Sequence, residues 1–464
     1  MKLVFIFSTG YNRGKGIHAP GGPPMSRNYD EFYWEKLDNA AKIYPSVTSK
    51  KSTNVYRVSV KLVEMVEPDL LQVALEKALE ELPFFGVKLR KGFFWYYLER
   101  NFAKPMVSID HRFPCASIDK FNANGFLFRL TYYNKMVNFD GFHVLTDGFG
   151  ALYFIKTILL HYFKQKYPEQ IKTDVLPEIE DASSREFASD SFLRHWRESE
   201  EVGKPYRPQA YRIKGVPLFN REIKVIHGIV STKALLALAK KHNTTITIFL
   251  TAVLMYSIYK ESFQYNMRKN RPIEISVPVN LRAYFDSSTL RNFFAVISTG
   301  MDFYQNRNIP FDEVLAFVKE DLKTKINREH LAAKIKYNVS AQQNIMLRAI
   351  PIPIKDLALK IIYKIGEKSL TSTLTNMGRI TVPEELEPFI DRFLIHVWVN
   401  DVQQKKIGMC SYKDQMVISF TSGIEETSIE YRFFKILTDY GLGVTVSTNW
   451  QETGAFTAKK EDKG

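Results

Sequence analysis

One stretch of this chain combines residue types and spacing that point to chemistry: His143-Val144-Leu145-Thr146-Asp147-Gly148. It follows a strand-like pattern at residues 136–142 and precedes an apolar helical pattern at residues 151–163. If strand alternation continues, His143 shares the face of Val137 and Phe139 and projects into an interface rather than into water. An imidazole has an ordinary pKa of about 6.5, so its neutral form is available near neutral pH to act as a general base. Asp147, four residues on, is placed to cap the next helix, and Gly148 permits a sharp backbone turn. On spacing alone, a satisfied core histidine followed by a plain capping aspartate is the commoner arrangement, so both readings stand at this point.

Other chemistries find no support in the sequence. The nine histidines are scattered, and no two have a zinc-binding HExxH spacing. There is no GxSxG nucleophile elbow, GxGxxG dinucleotide fingerprint or kinase signature. Residues 10–16 imitate a phosphate loop, but the spacing is one residue short and no Ser or Thr follows Lys15. Cys115 and Cys410 are the two cysteines, which excludes a disulfide framework and a thiolate metal cluster. Cys115 reads as a buried structural residue. The formal net charge of +14 favours anionic partners, but basic runs stop at three residues and no nucleic-acid motif is present. The charge is a diffuse field.

The elements that must position His143 follow an α/β pattern from about residue 30. A helix opens at Pro68 and Asp69, carries Leu71, Ala74, Leu75, Ala78 and Leu82 at helical spacing, and stops at Pro83. Strands are expected at residues 54–64, 85–89, 94–98, 126–133 and 136–142 in the first half. In the second they are expected at 221–230, 273–279, 294–301, 370–376, 392–400, 406–412, 415–421 and 443–448. Helices are expected at 192–200, 233–241, 245–259, 310–327, 329–342 and 425–439. The apolar run 246–258 reads as a buried helix, too short for the roughly 20 residues of a membrane span. Residues 1–24 read as a disordered, dispensable extension: 3–7 are too few for an export signal, and 14–24 are rich in Gly and Pro. Either Met1 or Met25 could be the start, and the expected location is the cytoplasm.

Three segments in order give the pattern a family likeness. His143, Asp147 and Gly148 match the HxxxDG motif of the chloramphenicol acetyltransferase-like superfamily. Ser276-Val277-Pro278-Val279-Asn280-Leu281-Arg282, followed by Asn292-Phe293-Phe294, resembles a second segment of these families. Leu374-Thr375-Asn376-Met377-Gly378 resembles their SN-x-x-G strand. Trp34-Glu35-Lys36-Leu37-Asp38 and Phe94-Trp95-Tyr96-Tyr97 look like bacterial alcohol acetyltransferases, and the likeness spans roughly residues 30–450. Phe142 replaces the second histidine usual in condensation domains, and the DFGWG motif of plant relatives is absent.

The resemblance implies an α/β fold of two acetyltransferase-like sandwiches arranged as a V around a central tunnel. It divides the chain into an N-terminal subdomain at 25–185, a crossover at 186–220 and a C-terminal subdomain at 221–464. It implies that His143 is the general base, that Asp147 and Arg282 form a structural ion pair, and that Asn376 or Thr375 holds the oxyanion. The expected reaction moves an acyl group, acetyl first, from a CoA thioester to an alcohol. Acyl-CoA is then a co-substrate, with no resident cofactor and no metal, and the chain is a monomer. An acyl carrier protein remains open as a partner. The alternatives are a standalone condensation-type enzyme acting on a carrier protein, and a non-catalytic binding module of the same fold.

Overall fold

The computed structural model describes residues 34–118, 124–174, 176, 184–196, 208–219, 222–262, 271–304, 308–344 and 348–449, with backbone alone at 184, 185, 341 and 342. The 1–24 extension, residues 197–207 of the crossover and the end of the helix expected at 192–200 lie outside them.

Three sheets organise the described residues. A five-stranded sheet runs Ile390–His396, Val55–Leu62, Met136–Phe142, Phe128–Tyr133, Val107–Ile109. A seven-stranded sheet runs Phe294–Met301, Ile273–Asn280, Ser372–Ile380, Lys405–Tyr412, Gln415–Ser422, Lys224–Ser231, Thr445–Thr448. A small three-stranded sheet joins Trp34–Lys36, Tyr96–Arg100 and Val87–Lys91. Helices Pro68–Glu81 and Gly148–Lys166 pack together beside the first sheet. Ile246–Ser262, largely apolar on every side, is buried among the seven-stranded sheet, Phe311–Lys325 and Ser428–Asp439.

Local signals account for many boundaries. Pro68 starts its helix where a missing N–H costs nothing, and the helix ends at Glu81 before Pro83. Ser231 caps Thr232–Lys241 by accepting from the Ala234 N–H. The Met136–Phe142 strand is braced from beneath. Arg57, directly opposite Asp140, donates to it at 2.8 and 2.9 Å, and also reaches Asp110. Arg129 adds a further donation to Asp140. Both cysteines are buried, and burial pushes their thiols well up.

Two features of the fold exceed local signals. Ile390–His396 leaves the second half and pairs antiparallel with Val55–Leu62, His396 opposite Arg57, so the chain crosses the boundary expected at 221. At this seam Gly408 lies so close to the strand that a Cβ would sit 2.5 Å from the Ile395 carbonyl oxygen. The second feature is the helix Ile352–Lys368, which has no counterpart among the expected elements.

Candidate active site

His143 sits one residue beyond the Met136–Phe142 strand, with its backbone N–H donating to the Asn54 carbonyl at 3.1 Å. Its ring stands in an aromatic box. Tyr44 stacks on it at 5.1 Å, Tyr56 lies at 4.6 Å, Trp398 meets it edge-on at 5.3 Å and Phe294 approaches to 5.8 Å. Tyr44 and Tyr56 belong to the first half of the chain, Phe294 and Trp398 to the second, so the His143 ring is contacted from both. Burial keeps both tyrosines in their neutral form.

One hydrogen bond settles the tautomer. His143 Nδ1 lies 3.3 Å from Asn292 Oδ1. The Asn292 amide is oriented by its other end: Nδ2 donates to Asp38 Oδ2 at 2.9 Å and to the His143 carbonyl at 3.0 Å. Oδ1 therefore faces the ring, Nδ1 carries the proton, and Nε2 keeps its lone pair. Burial drives the His143 pKa down to about 4, outweighing the Asn292 hydrogen bond and the Asp147 charge that raise it. Lys406 pushes the same way as burial; its ammonium lies 4.5 Å above the Trp398 ring. The imidazole is a neutral base throughout the physiological range.

Asp38 is itself buried and fixed. Its Oδ1 accepts from the Ala41 N–H at 2.7 Å. Burial raises its pKa to about 7, and the Asp190 carboxylate adds to the rise. Behind it, Arg291 is paired with Glu35.

Asp147 both caps a helix and pairs with Arg282. Its Oδ1 accepts from Phe149 and Gly150 N–H, both at 3.1 Å, capping Gly148–Lys166. Its Oδ2 accepts from Phe293 N–H at 2.9 Å and from Arg282 at 2.9 Å. Arg282 also donates to the Thr289 and Arg291 carbonyls and lies 4.5 Å over the Phe149 ring. The pair is buried and makes no hydrogen bond to His143; it ties the loop after His143 to the second half.

Gly148 has no left-handed backbone, so the turn expected of it is not the reason for glycine. A Cβ there would press on the Met377 thioether. Gly150 is the more constrained position: a Cβ would meet the Leu290 carbonyl oxygen. Asn376 donates to Thr247 Oγ1 at 2.9 Å and accepts from the Gly378 N–H at 2.8 Å. Those two bonds hold its side chain at the N-terminus of Ile246–Ser262. Thr375, opposite Gly408 in the register, faces the other way, toward the side that carries Lys406 and Gly408.

Asp38 and Asn292 received no role from the sequence reading, although both stood inside the quoted segments. Tyr44, Tyr56, Trp398 and Lys406 had no signal there, since lone aromatic and basic residues carry no spacing. Among the described residues no group of three or more His, Cys, Asp or Glu side chains could hold a metal ion.

Residues 222–377 match the family model of alcohol acetyltransferases. No curated protein matches the chain. The architecture is similar to polyketide synthase associated protein 5 from Mycobacterium tuberculosis, at 14% identity and TM-score 0.57, covering 87% of this chain and 96% of that one. It is similar as well to the trichothecene 15-O-acetyltransferase of Fusarium sporotrichioides, at 9% identity and TM-score 0.56, covering 89% and 98%. The chain has the chloramphenicol acetyltransferase-like fold. An epimerization domain of tyrocidine synthetase B is similar too, at 11% identity and TM-score 0.53, covering 88% and 97%. The acetyltransferase-like fold thus serves more than one reaction, and the site must decide among them. The matched region contains Arg282, Asn292 and Asn376 but not His143. What joins the matched region to His143 is the geometry itself, through Asn292 to Nδ1 and through Arg282 to Asp147.

Proposed function

We propose that the chain transfers an acyl group, acetyl first, from a CoA thioester to an alcohol, with His143 as general base in a tunnel between the two halves of a V. The observation that carries this reading is the neutral His143 ring with Nδ1 tied to Asn292 and Nε2 left as an acceptor. Nε2 takes the hydroxyl proton as the alcohol oxygen attacks the thioester carbonyl. The tetrahedral oxyanion collapses, the carbon–sulfur bond breaks, and Nε2–H returns the proton to the departing thiolate. No acyl-enzyme forms. Thr375 is the proposed oxyanion donor, because Asn376 is engaged elsewhere.

The alcohol acetyltransferase match and the CoA-bound neighbour from F. graminearum, TRI101 with T-2 mycotoxin, support CoA as donor and a hydroxyl as acceptor. The diffuse positive charge suits an anionic thioester donor. The test is thiol release from acetyl-CoA in the presence of a panel of alcohols and no carrier protein. Alcohol-dependent CoA release that vanishes in His143→Ala is the expected result. Turnover that requires an acyl carrier protein would move the reading to a condensation-type enzyme, and no turnover with either donor would leave a binding module.

A further inference from the structure

Helix Ile352–Lys368 is amphipathic in the reverse sense. Ile354, Leu357, Ile361, Ile362 and Ile365 recur at the spacing of one helix face, and each is more than half exposed. Asp356, Tyr363 and Glu367 face the protein instead. Asp356 accepts from Ser46 Oγ at 2.6 Å and from Tyr96 at 2.9 Å. Tyr363 donates to Asn54 at 3.3 Å, and Glu367 accepts from Asn400 and Gln403. The outward apolar stripe is about 17 Å long.

The stripe continues onto a second element. The turn between Val87–Lys91 and Tyr96–Arg100 abuts the first helical turn, with Ile352 N–H donating to the Phe93 carbonyl and Lys355 to the Phe94 carbonyl. Phe93 and Trp95 at this tip are again more than half exposed. Lys360 and Lys364 are exposed along one border of the stripe, and Lys91 lies by the tip. Both acidic side chains of the helix are turned inward.

We propose that this face docks the protein on an anionic lipid bilayer, the helix lying in the interfacial plane with Phe93 and Trp95 inserted beside it. An apolar stripe bordered by lysines, with aromatic side chains at one end, is what a headgroup boundary accepts. The +14 net charge complements an anionic surface and opposes a second copy of the same charge. The inward face of the helix packs on residues 44–54, which carry Tyr44, the ring stacked on His143. On the acyl-transfer reading, docking sets the base beside a store of apolar alcohols. The docking itself does not rest on that reading, and it is measured with no substrate present.

The experiment is flotation of the full chain with vesicles of phosphatidylcholine alone and with 30% phosphatidylglycerol (about one anionic lipid in three), together with sedimentation velocity without lipid. The expected result is flotation with the anionic vesicles, weakened by salt. Ile361→Asp with Ile365→Asp should abolish it while the melting temperature stays unchanged, since both side chains are exposed. Lys360→Gln with Lys364→Gln should weaken it by roughly 25-fold, at about fivefold per basic residue. A wild-type chain that stays with the unbound fraction overturns the proposal. So does a concentration-dependent dimer that Ile361→Asp dissolves, which would assign the face to a second copy.

Discussion

The proton on Nδ1 decides what His143 can do, and Asn292 decides where that proton is. On the proposed acyl-transfer reading the ring is the base, so His143→Ala should lower turnover by about 10² to 10⁴-fold, measured as alcohol-dependent CoA release, with the fold retained by circular dichroism. The pH profile carries the same argument. A base whose pKa has been driven down to about 4 stays deprotonated from pH 8 to about 5, so the acid limb of kcat/KM should fall near 4 rather than 6.5. An acid limb at 6.5 would mean that the ring is solvated during turnover. Asn292→Ala should act differently. It leaves the ring in place but lets either nitrogen carry the proton, so kcat should drop by roughly 10- to 100-fold while KM changes little. Asp38→Asn should reproduce much of that loss, because it sets an amide donor against the Asn292 Nδ2 or the Ala41 N–H. Equal kcat in wild type and Asn292→Ala would show that the aromatic box alone orients the ring.

At the scale of the element, Asp147 joins a helix start to the opposite half of the chain. The capping reading and the ion-pair reading are both true of it. Two variants separate them. Asp147→Asn keeps an oxygen for the Phe149 and Gly150 N–H groups and loses the charge facing Arg282; Asp147→Ala loses both. Leaving the Arg282 guanidinium buried without its partner should cost about 3–5 kcal/mol in urea unfolding, and loss of the cap about 1 kcal/mol more. The Asp147→Ala, Arg282→Ala cycle should be less than additive, and additive losses would mean the two do not couple. Asp147 was legible as a cap from its place between a strand and a helix, whereas its pairing with Arg282 came only from the family resemblance, because no local signal joins two residues 135 positions apart. Gly148 was named for a turn, but the glycine is required by the Met377 thioether packed against it, and the Thr247 partner of Asn376 likewise comes from an element that lies across from it and far away in sequence. Ile352–Lys368 has the clear helical period of Ile354, Leu357, Ile361 and Ile365. A reader of periodicity would still have turned that face inward, because the period says which residues share a face and not which face meets water. The crossing of Ile390–His396 into the other sheet is a non-local pairing that no window of sequence contains.

Over the whole molecule, the halves are held together at the seam where His396 of the five-stranded sheet meets His227 of the seven-stranded one, their rings edge to face at 5.2 Å. Burial holds both neutral: His227 is driven down to about 4 and His396 well below its ordinary value. With His143, three histidines are uncharged in the folded chain and take up protons near pH 6.5 once unfolded. Each therefore contributes stability that is present above pH 6.5 and drains away as pH falls toward 4. Asp38 opposes them: its pKa is raised to about 7, so the folded state is the one that binds its proton as pH falls from 7 to 4. Asp190, also raised by burial, works in the same direction as Asp38. His330, lowered by burial as well, adds to the histidine side, so on balance unfolding takes up protons as pH falls below 6.5. The urea midpoint should accordingly fall steadily between pH 6.5 and 4.5. Replacing His227 by Gln removes one of these histidines and should flatten the decline, while Asp38→Asn should steepen it. A midpoint that holds level or rises on acidification in the wild type would mean that the histidine seam opens to water before the chain unfolds.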